Sequence, residues 1–111
     1  MSKIFYKNQP GVVLKLKAKP GMGEALLQMI HDLHYTGDPD GPVNWVICQP
    51  NDEDPDSIWV FEFYRDEESF TRHYSDPAID EVHKKLFELL EDMQQQMRED
   101  VLIFASSESE R

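Results

Sequence analysis

The chain has 111 residues, enough for one domain and too few for two. Apolar residues make up 40% and charged residues 30%, the balance of an ordinary water-soluble globule. Acidic residues outnumber basic ones 22 to 11, and the net charge of −11 repels phosphate backbones and anionic bilayers, so neither nucleic acid nor a membrane is an expected partner.

Residues 1–10 read as an N-terminal arm without the apolar run of a signal peptide. The folded domain is expected over residues 11–105, with a polar tail at 106–111. Val12, Leu14 and Leu16 alternate with Val13, Lys15 and Lys17, which predicts a half-buried strand from Gly11 to Lys17. Lys19-Pro20-Gly21 ends it. Leu26, Met29, Ile30 and Leu33 then recur at helical spacing within Glu24 to Tyr35. The stretch Gly37-Asp38-Pro39-Asp40-Gly41-Pro42 cannot continue a helix and reads as a loop.

Val43 to Gln49 and Ile58 to Arg65 form the second and third predicted strands, joined antiparallel through the acidic turn Pro50 to Asp56. Glu67 to Ser75 is a short helix, and Pro77 opens another, where its missing N–H costs little. Ile79, Val82, Leu86, Leu89, Leu90, Met93 and Met97 make an apolar stripe that predicts this helix to continue to about residue 97. Val101 to Ala105 is the last expected strand. The order β-α-β-β-α-β, with its second helix divided at Pro77, is the ferredoxin-like α+β pattern, an antiparallel sheet with helices on one face.

Strands two and three are apolar on both sides: Trp45 and Ile47 against Val46 and Cys48, and Trp59, Phe61 and Phe63 against Ile58 and Val60. Helices hide one face of a sheet, so a second copy is expected over the other, giving a homodimer. Cys48 stands alone and forms no intrachain disulfide. With no span long enough to cross a bilayer, the expected location is the cytoplasm.

The stretches Val13 to Gly21, Ile58-Trp-Val-Phe-Glu62-Phe-Tyr64 and Phe70-Thr-Arg-His73-Tyr-Ser75 resemble the antibiotic biosynthesis monooxygenase domain over about residues 11–105. The resemblance implies a dimeric α+β barrel. Glu62 takes the family's acidic strand position, Tyr64 stands where relatives often have Trp, and His73 matches the helical His. Ser75-Asp76-Pro77-Ala78 lacks the second His many relatives carry there. The haem-degrading branch pairs a strand-one Asn with a helical Trp and His; Val12-Val13-Leu14 offers no Asn and His73 replaces the Trp, so haem degradation is not implied.

The implied activity is a monooxygenase without cofactor or metal, oxidising a small phenolic or quinol-type aromatic with O₂. The alternative is a non-catalytic barrel that binds a small hydrophobic metabolite. His73 is the candidate catalytic base or hydrogen-bond partner, because an imidazole titrates near neutrality. Trp59, Phe61 and Phe63 are candidate pocket walls, with Tyr64 and Asn44 as polar candidates; Asn44 serves equally well as a strand-start turn residue. His83 either projects into the pocket or satisfies a backbone carbonyl. His31 and His34, at i and i+3, read as a solvated helix face; no third ligand accompanies them, so no metal is expected.

Overall fold

A computed structural model describes residues 5–35, 37–51 and 54–107. The first four residues of the expected arm and the last four of the expected tail lie outside them. In chain order the elements are β1 (Pro10–Lys17), α1 (Gly23–Leu33), β2 (Asn44–Cys48), β3 (Ser57–Phe63), α2 (Glu67–Ser75), α3 (Pro77–Phe87), a single 3₁₀ turn (Met93–Gln95) and β4 (Met97–Leu102). The strands form one antiparallel sheet in the order β2-β3-β1-β4. This is the expected α+β, ferredoxin-like βαββαβ fold, with an antiparallel sheet.

Register decides what each face carries. Val12 pairs with Glu62, Leu14 with Val60 and Leu16 with Ile58, while Trp45 and Ile47 of β2 pair with Glu62 and Val60. Paired residues point to the same side, so these side chains share one face. On that face Leu26 and Ile30 of α1 close over Ile58 and Val60, joined by Ala18 and Leu90. Burying such a side chain stabilises the fold by about 1.5–3 kcal/mol. The period-2 alternation sends Trp59, Phe61 and Phe63 to the opposite face.

Two glycines make close approaches possible. At Gly11 a Cβ would lie 2.5 Å from the Phe63 ring and 2.7 Å from the Glu62 carbonyl oxygen. At Gly23 it would run into the Pro55 carbonyl, because the start of α1 packs on the turn before β3. That turn also caps the helix. No side chain at Met22 does so, and Asp56 instead accepts from the Gly23 N–H at 3.0 Å.

The expected long final helix is corrected. It ends at Phe87, ten residues before the predicted end of the stripe, and the chain then returns to the sheet. Leu90 forms a β-bridge to Ala18, and the Gln96 side chain accepts from the Lys17 N–H at 2.8 Å and donates to the Lys17 carbonyl at 2.9 Å. β4 therefore starts at Met97, earlier than the expected Val101. Leu89 and Leu90 are apolar because they meet the core, whatever their helical spacing.

Candidate active site

A cavity of about 510 Å³ opens between the buried face of the sheet and the helices. Leu14, Leu16 and Val60 form its apolar floor, with Ile79, Val82 and Leu86 of α3 opposite. The polar groups that break this surface include two ion-pairing arms and a phenol, beside Asp76 and His83.

The first arm is His73 with Asp38. Asp66 caps α2 by accepting from the Ser69 N–H at 2.7 Å, and Glu67 and Glu68 favour the positive end of the helix. This fixes His73 in the last turn of α2, with Nδ1 2.8 Å from Asp38 Oδ2. Asp38 is held in turn by a local Asx turn, its Oδ1 accepting from the Asp40 N–H at 2.9 Å. Arg72 donates twice to Asp40, at 2.9 and 3.1 Å, so the loop from Gly37 to Pro42 is tied to α2 at two points. A carboxylate can only accept, so Nδ1 carries hydrogen and the Nε2 lone pair of neutral His73 is left as a base.

The second arm is His34 with Glu62. His34 follows the last residue of α1, and its Nδ1 donates to the Ile30 carbonyl at 2.8 Å. Its Nε2 lies 2.6 Å from Glu62 Oε2, and the two side chains are 5% and 12% exposed. Burial works against a charged imidazole, but the hydrogen bonds to Glu62 and Ile30 outweigh it and raise His34 above its ordinary pKa. Trp45 packs on the ring, with centroids 4.5 Å apart.

The phenol is Tyr74, whose hydroxyl accepts from that of fully buried Tyr64 at 3.4 Å. Burial first, then the Glu62 charge, pushes both phenols above the ordinary tyrosine range, so they stay protonated donors. The Arg98 guanidinium sits 4.3 Å over the Tyr74 ring. His83 also lines the cavity, and burial together with the nearby His73 lowers its pKa, favouring a neutral ring.

The structure thus brings His73 and His83 together at one cavity and places Tyr64 just behind it. The expectation that Trp59, Phe61 and Phe63 line this cavity is corrected, since strand alternation turns all three away from it. Asn44 pairs with Phe63 on that same far side, and its Oδ1 accepts weakly from Gln9 at 3.5 Å. His34, read as solvated, is instead buried in the cavity wall; His31 is the exposed one, 3.5 Å from Asp32. Asp38 and His34 went unread as site residues. Among the described residues no group of three or more His, Cys, Asp or Glu is arranged to hold a metal ion, and no helix is long and apolar enough to cross a membrane.

A profile of the antibiotic biosynthesis monooxygenase family matches residues 11–85. No curated protein matches the chain. Solved structures with the same fold include a candidate antibiotic biosynthesis monooxygenase from Chloroflexus aurantiacus, 23% identical, with a TM-score of 0.68 over 88% of this chain and 95% of that one. A protein of unknown function from Nitrosomonas europaea, NE2512, is 19% identical, with a TM-score of 0.71 over 93% and 96%. SnoaB, a cofactor-independent oxygenase from Streptomyces nogalater, is 16% identical in a variant form, with a TM-score of 0.65 over 88% and 93%. With the profile covering well over half of its length, the chain belongs to the antibiotic biosynthesis monooxygenase family.

Proposed function

We propose that this protein is a cofactor-free monooxygenase that oxidises a small phenolic or quinol-type aromatic with O₂, working as a cytoplasmic homodimer. The observation that carries the reading is the Asp38-oriented His73 facing a mostly apolar cavity large enough for one aromatic ring system. His73 Nε2 takes the phenolic proton, and the phenolate passes an electron to O₂. The two radicals combine at a ring carbon, and loss of water leaves the quinone; one substrate and one O₂ give one oxygenated product and one H₂O. The apolar walls keep bulk water from the reactive pair, while Tyr74 offers a neutral hydrogen-bond donor. Support for the dimer comes from the helix-free face of the sheet, where Val46 is 55% exposed and Trp59 stacks on Phe61.

The test is O₂ uptake over a panel of hydroquinones and phenols, run aerobically and anaerobically. Turnover above the uncatalysed rate is expected for at least one, and His73→Ala should lower its kcat/KM by about 10²–10⁴-fold. Tight binding of panel members with no O₂ uptake would replace this reading with the binding protein.

A further inference from the structure

The second arm of the cavity has chemistry that a single base does not require. The Ile30 carbonyl can only accept, so Nδ1 of His34 must carry hydrogen, and one further proton lies between Nε2 and Glu62 Oε2. Glu62 therefore spends one carboxylate oxygen on His34. Its other oxygen has no hydrogen-bond partner among the described residues, although Glu62 is only 9% exposed and lines the cavity. That oxygen is not sealed in the core but accessible at the cavity, so a donor on a ligand can reach it and take the place of water there. Asp38 and Asp76 line the same cavity, so carboxylates outnumber the cations that face it.

We propose that the Glu62–His34 pair is the specificity element of this cavity: Glu62 accepts a hydrogen bond from a second donor group on the aromatic ligand and excludes aromatics that carry a carboxylate. The ligand class is a neutral ring bearing two donors, one for His73 and one for Glu62. His34 is a positioning residue, holding Glu62 against the floor of β3. The inference rests on the proposed function for its kind of ligand, but not on turnover.

Anaerobic binding therefore tests it, with hydroquinone, phenol and 4-hydroxybenzoate as probes. The wild-type protein should bind hydroquinone more tightly than phenol, and 4-hydroxybenzoate at least about tenfold more weakly than phenol, since like charges brought together without water cost that much or more. Glu62→Gln keeps an acceptor and removes the charge. It should bring 4-hydroxybenzoate to within about threefold of phenol while hydroquinone stays preferred. Glu62→Met removes the acceptor and should abolish the hydroquinone preference. Glu81→Gln makes the same charge change on the exposed face of α3 and should leave both ratios as they are. Melting curves establish that each variant is folded, and if Glu62→Met is not, the Glu62→Gln ratio decides alone. Unchanged ratios in Glu62→Gln overturn this inference and leave the oxygenase reading standing; failure of all three probes to bind the wild-type protein overturns both.

Discussion

On one face of β3 stand Ile58, Val60 and Glu62, with Tyr64 just past its end, all buried; on the other stand Trp59, Phe61 and Phe63, each half-buried. The aromatic face looks more like a pocket wall in the sequence, yet the cavity lies over the aliphatic face. What marks the cavity side is Glu62, a carboxylate set among apolar neighbours on a strand that covers its own interior. An acidic group is seldom buried without a task, whereas rings on a sheet surface are ordinary material for a protein–protein contact.

Mutations on opposite faces of this one strand separate the two roles. The largest loss of stability is expected from Ile58→Ala, about 2–5 kcal/mol by chemical denaturation, because Ile58 is fully buried between sheet and α1. Phe61→Glu, on the other face, should spare the protomer fold and convert a dimer to a monomer in light scattering. A wild-type protein that is monomeric at micromolar concentration would remove the association role from the aromatic face altogether.

Within the cavity, Asp38→Asn should lower kcat/KM about tenfold to a hundredfold by weakening a charge-assisted bond to His73. Asp40→Asn, whose carboxylate pairs with Arg72 and Arg65 and does not touch the imidazole, should do less. Equal effects would mean that loop position, and not the carboxylate on the imidazole, is what counts.

A smaller effect follows from His34. Its pKa is raised in the folded state, so its pairing adds stability below the ordinary histidine value and loses it as pH rises through the raised one. The wild-type advantage in Tm over His34→Gln should shrink from mildly acidic to alkaline pH; an advantage that grows would contradict the charged pair.

The smallest is at the opposite end of the molecule. There Asp54 accepts from Lys17, from the Ser57 hydroxyl at 2.7 Å and from the Asp56 N–H at 3.0 Å, and these bonds lower its pKa to about 2. Its stabilisation holds above the ordinary aspartate range and vanishes as pH falls through about 2. Wild type and Asp54→Ala should differ at neutral pH and converge in strong acid.

The first three strands and the first two helices were legible because their signals are local: alternation in Val12 to Leu16, breaks at Pro20-Gly21 and at Pro77. The end of α3 was not, because Leu89, Leu90, Met93 and Met97 keep helical spacing while Ala18 and Lys17, more than seventy positions away, draw that segment into the sheet. The candidate site divides the same way. His73 could be placed from its own helix. Its partner Asp38 lies 35 residues away and Glu62 lies 28 residues from His34, and no window on the chain brings either pair together. His34 was misread because its spacing from His31 suggests a shared face, when the turn after α1 sends one ring into the cavity and leaves the other in solvent.

Asp76 is both the residue that ends α2 and the one whose side chain caps α3, accepting from the Ala78 N–H at 2.9 Å. Two helices that each supply an imidazole to one cavity are therefore separated by a single residue. Such a hinge constrains length more than chemistry. One residue inserted after Asp76 would rotate everything downstream by about 100° about the helix axis, turning His83 away from the Tyr74 ring, whose centroid lies 6.1 Å from its own, while altering no side chain. Natural variation at this junction should consist of substitutions that retain a capping group, with insertions and deletions rare. A library of single-residue insertions across residues 74–79 should lose the His83 contact as a block.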